Sequence, residues 1–353
     1  MTTLTRTVMR SLRLALPFLL VFVTRPVAAQ RSEILRLPGR TVEVTGLERW
    51  TIQMLQDSLA KYSPGDSLQS HACAAVLRYK LHFADASSTT FMGMNGPGDT
   101  TRYTLVHVIE PQDSARVHHL TRPIDTLSRI PEWADVVQMV QRNPDAARYA
   151  WMLYGAEQQQ GAGWRFPGFL AEDSSAVRAM QRWLLAHRTP RDRAKAHTVL
   201  AESPSMFDQI VAISILQTFP REDSTWVALV RMLRLEDGWA PGFAASALQT
   251  MASAGDRPSS WAPVAADIHA ILDGTSLFNL DELSRTLVKA GVDSTMARPF
   301  LAGGGHALLA RAVTCRPAAN SSARALLRAL YGRDPGTDPA EWRQWIAALD
   351  AHP

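Results

Sequence analysis

Residues Trp261-Ala262-Pro263-Val264-Ala265-Ala266-Asp267-Ile268-His269-Ala270-Ile271-Leu272 decide the fold. Trp261, Val264, Ala265, Ile268, Ile271 and Leu272 succeed one another at steps of three and four, which places them on one face of a helix. The same pattern returns at Leu326, Leu327, Leu330 and Tyr331, and again at Trp342, Trp345, Ile346 and Leu349.

Working back from that stretch, one amphipathic helix succeeds another from Trp133 onward. Asn143-Pro144-Asp145 opens a helix with a capping side chain and proline in the first turn. Glu172-Asp173-Ser174 opens the next, with Val177, Met180 and Leu184 inward. Thr189-Pro190, Ser203-Pro204, Glu222-Asp223-Ser224, Ala240-Pro241 and Asp256-Arg257-Pro258 punctuate the helices beyond it. Helix starts near 172, 190, 205, 223, 241, 260 and 280 recur about every 18 residues, or about 36 per pair, the period of two-helix repeats. Such pairs bury their apolar faces only against neighbours, so residues 131–353 are expected to form a helical-repeat domain.

From about Ser205 to the end the chain resembles the HEAT-repeat and HEAT-like α-solenoid proteins exported by bacteria. Its close, Leu330-Tyr331-Gly332-Arg333-Asp334-Pro335-Gly336-Thr337-Asp338-Pro339-Ala340-Glu341-Trp342, is similar to the ending of those proteins: a glycine stop, an Asp/Gly-rich loop and a last tryptophan-bearing helix. The resemblance implies a HEAT-like solenoid that presents a long surface to a protein or peptide partner.

Residues 30–130 have a different texture and resemble no such family. Thr41-Val42-Glu43-Val44 alternates like a strand, and Leu47, Trp50, Met54, Leu55, Leu59 and Tyr62 share a helical face ended by Ser63-Pro64-Gly65-Asp66. A second helix is expected over Leu68 to Leu77. Strand alternation comes next at Tyr79, Leu81 and Phe83, at Tyr103, Leu105, His107 and Ile109, and at Val117 to Leu120. Turn chemistry at Asn95-Gly96-Pro97-Gly98-Asp99 and Pro111-Gln112-Asp113-Ser114 separates them. The expectation is a small α+β unit with an antiparallel meander, which caps one end of a mainly α protein or adds a second contact to it.

The first 29 residues read as a cleavable export signal. Arg6, Arg10 and Arg13 precede the apolar run Leu14 to Val23, and Val27-Ala28-Ala29 offers small residues for cleavage before Gln30. Ten apolar residues are too few for a membrane span, which takes about 20, so no membrane anchor is expected after cleavage. The destination is periplasmic or secreted, in a bacterial source suggested by arginine usage: lysine occurs only at 61, 80, 195 and 289. Residues 1–29 hold four arginines and no acid, leaving 33 basic and 33 acidic side chains in the remainder. The apparent basicity therefore disappears, and with it the electrostatic surplus that nucleic-acid binding needs.

Imidazoles and thiols supply the candidate chemistry. His71, Cys73, His118 and His119 are the residues a zinc or copper ion would use. Yet residues two apart on a helix point about 200° apart, and no Cys-x-x-Cys or His-x-x-x-His pair exists. They read as scattered, and no metal or other cofactor is expected. His107 alternates along a strand and is expected to face solvent. Cys73 and Cys315 both lie in apolar contexts and read as separate free thiols. Gly303-Gly304-Gly305 precedes a helix without a following lysine and reads as a turn rather than an anion loop. Asp334, Asp338 and Glu341 lack EF-hand spacing, and Asp338-Pro339 reads as a helix cap. Trp164, Phe166 and Phe169, in a Gly/Pro-rich loop, are the candidates for gripping a partner.

No Gly-x-Ser-x-Gly, His-Glu-x-x-His or Walker loop is present. The reading is thus a non-catalytic exported protein, an interaction or scaffold module of the cell envelope. The alternatives are a metal-dependent or hydrolytic enzyme module in residues 30–130 and a small-ligand sensor with its pocket at the junction of the two units. The export signal makes a direct prediction: the intact mass of the exported protein corresponds to a chain beginning at Gln30. A full-length N-terminus outside the cytoplasm would overturn it.

Overall fold

The computed structural model describes residues 31–70, 72–93, 100–121, 123, 130–160, 174–236, 239–275, 277–333 and 338–351. The segment read as an export signal, the 94–99 turn, His71, and the loop carrying Trp164, Phe166 and Phe169 lie outside them.

The chain opens with β1 (Arg31–Leu37) and β2 (Arg40–Leu47), then α1 (Ile52–Tyr62) and α2 (Ala72–Tyr79), then β3 (Asp85–Met92) and β4 (Arg102–Ile109). The four strands lie in the order β1-β2-β4-β3. β1 and β2 are antiparallel, as are β3 and β4, but β2 and β4 run parallel, with Thr45 opposite His107. The expected antiparallel meander is therefore wrong. The two helices carry the chain across one face to the far edge, and β4 returns between β3 and β2.

Local chemistry accounts for the other differences. Tyr79, Leu81 and Phe83 are not a strand: Tyr79 ends α2, and the chain turns through His82 in a left-handed conformation at φ 57°. Leu47 belongs to β2, and α1 starts at Ile52 with Thr51 accepting from the backbone N–H of Met54. Leu55 and Leu59 face inward while Met54 and Tyr62 are exposed. Val117 to Leu120 forms no strand; Leu120 makes one isolated bridge with Leu235.

The sheet is covered on both sides. Val42, Val44, Val106 and Val108 pack against Leu55, Leu59, Cys73 and Leu77 of α1 and α2. The alternate residues of β2 and β4 turn the other way, toward the helical part of the chain. Both faces of β4 are consequently buried, and it reads almost continuously apolar from Tyr103 to Ile109. Gly46, at φ +87°, is required by this packing, because a Cβ there would stand 2.1 Å from the Val108 carbonyl oxygen.

The rest of the described chain is helical: α3 (Ala134–Arg142), α4 (Pro144–Gln160), α5 (Ser174–Ala186), α6 (Pro190–Glu202), α7 (Met206–Leu216), α8 (Asp223–Met232) and α9 (Ala240–Ser253). Then come α10 (Ala265–Asp273), α11 (Leu277–Lys289), α12 (Ala297–Leu301), α13 (His306–Ala312), α14 (Pro317–Tyr331) and α15 (Pro339–Ala351). Caps set several starts: Thr189 and Asp192 form a reciprocal capping box on α6, Ser205 caps α7, and Asp338 accepts from Ala340 N–H at 2.8 Å ahead of α15. Two rows result. In one, α4, α7, α9, α11 and α14 pack in succession; in the other, α6, α8, α10, α12 and α15 do. α7 lies at the centre and is buried continuously from Gln209 to Leu216. None of the described helices is long and apolar enough to cross a membrane.

The α/β unit does not cap an end of these rows. It lies across turns that join them: Arg78 pairs with Glu236 after α8, Asp85 meets Thr275 after α10, and Glu43 meets Cys315 after α13. Three turns of the helical part thus meet one α/β unit, the first through α2 and the other two through the sheet.

At the far end, Trp342 is buried and Trp345 partly so, and both rings lie against Tyr331, with centroids 6.0 and 4.7 Å away. Trp342→Ala should cost about 3–5 kcal/mol through lost transfer energy and a residual cavity. If the rows are coupled mainly through neighbours, hydrogen exchange will show lost protection in α12 to α15 while α5 to α8 keep theirs. Uniform loss along the chain would instead show a single cooperative globule.

Candidate functional site

The sheet face turned toward the helices carries Thr41, Glu43 and Thr45 on β2, His107 on β4, and Asp85 and Ser87 on β3. These groups are polar, and Glu43, His107 and Asp85 are buried. A buried polar group is tolerated only when it is hydrogen-bonded, and most of this seam obeys that rule. Glu43 accepts from Ser32 Oγ at 2.6 Å, from the Tyr103 hydroxyl at 2.9 Å and from the Cys315 backbone N–H at 2.9 Å. Burial, and then the charge of Glu43, push the Tyr103 phenol far up.

Two histidine–aspartate pairs flank this point. His119 Nε2 lies 2.7 Å from Asp85 Oδ2, and the Thr275 hydroxyl donates to the same oxygen. Burial alone would raise Asp85, but these two hydrogen bonds outweigh it and hold the carboxyl below its ordinary value. The hydrogen bond that His119 makes to Asp85 raises the imidazole in turn. On the other side, Asp273 at the end of α10 receives both the Nδ1 and the backbone N–H of His306. Here too burial raises the carboxyl and the His306 hydrogen bond prevails, so Asp273 is lowered. Between the pairs, Thr45 Oγ1 lies 2.7 Å from His107 Nδ1. His107 is wholly buried, and its Nε2 has no partner among the described residues. Burial, then the nearby Arg116, push it down to about 3, so it is neutral at physiological pH.

Beside this seam opens a cleft of about 490 Å³. His306, Leu309 and Ala310 of α13 with its cap residue Val313, and Arg343, Ile346, Ala347 and Asp350 of α15, line it, each set at i, i+3, i+4 and i+7. Thr45 and Gly46 of β2 close the third side, and Arg31 stands at the rim. Leu309, Val313 and Ile346 make an apolar wall. Asp273 holds Nδ1 of His306 and leaves Nε2 on the cleft side, with the ring about one-third exposed at 32%. Gly304 makes this corner possible, since a Cβ there would fall 2.5 Å from the His269 ring and 3.2 Å from the Asp273 carboxyl carbon. Gly303-Gly304-Gly305 is a turn between α12 and α13, and the chain's own Asp273 already occupies the first N–H of α13.

Of the residues singled out from sequence as metal ligands, His71 lies outside the described residues, and Cys73 is not brought to His118 and His119. Cys73 lies on α2 and packs between α1 and the sheet, on the opposite side of the sheet from His119. Its Sγ points to the Leu68 carbonyl oxygen at 3.7 Å, and burial pushes the thiol up to about 11. The His118 carbonyl accepts from Arg234, with Nη2 at 2.7 Å, and His118 borders a minor crevice with His119. Among the described residues no group of three or more His, Cys, Asp or Glu is placed to hold a metal ion. Cys315 packs near Tyr103 on the helical side, so the two free thiols lie on opposite faces of the sheet. Burial, and then Glu43, push the Cys315 thiol up to about 11 as well.

His107, expected at the surface, is buried because both faces of β4 are covered. Sequence reasoning misses Asp85, Asp273 and His306 altogether. They belong to no local motif: His306 reaches Asp273 across 33 positions and Thr275 reaches Asp85 across 190.

These titrations set a pH optimum for stability. Below about pH 6.5 the unfolded chain protonates His107 whereas the folded chain does so only near 3, so stability falls with acidification by about 1.4 kcal/mol per pH unit in that interval. His119 has the opposite sign: its folded value is raised, so its contribution is complete below about 6.5 and is lost as pH rises through the folded value. Urea midpoints measured from pH 4 to 8 should therefore peak near pH 6.5. His107→Gln should flatten the acid limb and His119→Gln the alkaline one. A His107→Gln protein retaining the parent's acid slope would exclude His107 as its source.

Comparison of the chain with protein-family models, with curated proteins and with solved structures finds no match in any of the three, so its function has to be read from the site itself.

Proposed function

We propose that this chain is an exported, non-catalytic binding protein of the cell envelope. In this reading the two rows of helices are a HEAT-like solenoid, and a protein or peptide partner inserts a segment into the cleft between the solenoid and its docked α/β unit. The observation that carries the reading is the cleft. Its volume of about 490 Å³ falls within the range of about 300–1,000 Å³ typical of ligand sites. It combines an apolar wall at Leu309, Val313 and Ile346 with a few polar groups, Thr45, His306 and Arg343, that can fix orientation.

The α/β unit lies across turns of the array and takes up surface that a bare solenoid would offer. The seam between the two parts, rather than the array alone, is therefore the favoured contact surface. Trp164, Phe166 and Phe169 remain candidates for a second contact, at a loop outside the described residues.

A second reading, catalysis, is favoured by one observation. Asp273 orients His306 with Nε2 toward the cleft, the arrangement of a general base with its orienting carboxylate. Both readings are tested by filling the cleft from its exposed side. Ala347 is exposed on α15, so Ala347→Trp should leave stability within about 1 kcal/mol, as surface changes usually do. Crosslinking in native envelopes should then lose the partner captured by the parent protein. Unchanged capture would overturn the cleft as the contact site. Turnover of ester or peptide substrates that His306→Ala abolishes would replace binding with catalysis.

A further inference from the structure

At the opposite edge of the sheet from this cleft, Arg311 of α13 is 1% exposed. Asp281 of α11 takes up one side of its guanidinium: Nε donates to the two carboxylate oxygens at 3.0 and 3.1 Å, and Nη2 donates to one of them. Phe91 of β3 lies against the guanidinium, with Cζ 4.8 Å from the ring centroid. The far nitrogen, Nη1, is buried and has no acceptor. An arginine in a protein cannot discard its charge, so this nitrogen keeps two donors that nothing in the described chain satisfies. A buried donor left unpaired is costly, and here the cost sits at the wall of a cavity.

That cavity, of about 320 Å³, is lined by Arg311, Phe91, Asp281 and Arg285 and by Ala318 and Ser322 among the first turns of α14. α14 has 15 residues, no side-chain cap and no acidic residue in its first turn. Pro317 has no N–H, and those of Ala319 and Asn320 donate to the Arg316 carbonyl at 3.0 and 3.3 Å, so the backbone donor left at the positive pole is that of Ala318, on the cavity wall. Arg285 adds a second, half-exposed guanidinium, which contacts Glu282 at 2.7 Å. The oxygens of Asp281 are engaged by Arg311 and by the Ser322 hydroxyl at 2.9 Å. Three donor sets thus converge on one space: Nη1 of Arg311, the guanidinium of Arg285 and the start of α14.

We propose that this cavity binds the oxyanion group of a small ligand, a carboxylate or a phosphate. Arg311 supplies the buried donor pair, Arg285 the charge at the entrance and α14 the backbone end. The cavity is at the lower end of small-molecule sites, with space beyond the anionic group beside Phe91 and Ala318. The site and the partner cleft share α13 but use different residues of it: Arg311 borders this cavity with β3, α11 and α14, whereas His306, Leu309 and Ala310 border the cleft with β2 and α15.

The test titrates the protein with inorganic phosphate and, separately, with acetate, against chloride at matched ionic strength. The readouts are the thermal midpoint and, for phosphate, the ³¹P line width. The expected result is a saturable rise with at least one oxyanion and none with chloride; the stronger of the two arms assigns the ligand class. Arg285→Gln, at a half-exposed position, should weaken that binding at least tenfold, and Arg311→Lys, which loses the paired donors, should abolish it. Because Arg311 is buried and its variant can fail to fold, Arg285→Gln decides the matter alone. Lack of saturation with both oxyanions, or an unchanged affinity in Arg285→Gln, would overturn the proposal.

Discussion

A carboxylate buried between a sheet and a layer of helices is tolerable only when its oxygens are paired, because the cost of removing the charge from water is several kcal/mol. Glu43 meets that condition with donors from three parts of the chain: Ser32 on β1, Tyr103 on β4 and the backbone of Cys315 beyond α13. Apolar contact alone would allow the sheet to slide over the helices. Directional bonds to a buried charge allow one alignment, since any other leaves an oxygen unpaired. Asp85 and Asp273 impose the same condition further along the seam, and the cleft, the histidine pairs and the position of β3 over α11 result from the alignment that satisfies all three.

The parts of this architecture that depend on nearby residues were legible in the sequence. Helix starts at Pro190, Met206, Asp223 and Ala240 derive from capping side chains, proline positions and apolar period, which act within a turn or two. The strand around His107 was legible for the same reason. Its neighbours were not, because parallel or antiparallel pairing is decided by the path of the intervening chain. β3, reading Asp85-Ala86-Ser87-Ser88-Thr89-Thr90-Phe91-Met92, carries a polar face that looks like loop composition until the helices that cover it are known. The site was least legible. A pair such as Asp273 and His306 leaves no trace in local spacing, and the orphaned nitrogen of Arg311 exists only because Phe91 and Asp281 reach it from distant segments.

The two edges of the sheet carry different chemistry for a physical reason. Near β1 and β2 the wall is apolar, because α13 and α15 turn matching small and aliphatic faces to one another across the opening. Near β3 the wall is ionic, because the first turn of α14 meets two arginines there, Arg311 paired with Asp281 and Arg285 with Glu282. One docked unit therefore produces two concavities of opposite character, and neither would exist if the helices stood alone.

The α/β unit also acts as a ruler. Arg78, Asp85 and Glu43 reach the turns at Glu236, Thr275 and Cys315, and packed helices lie about 8–10 Å apart. Adding or removing a helix pair between Glu236 and Cys315 would move at least one turn beyond the reach of its partner, breaking the Arg78–Glu236 pair or leaving Asp85 or Glu43 buried with a donor missing. Upstream of α8 no such gauge applies, and pairs could be gained or lost with only a neighbour to repack. The chain is in this sense part measured and part free: a stretch whose number of helices is locked by its own α/β unit, joined to one whose length evolution or design can change.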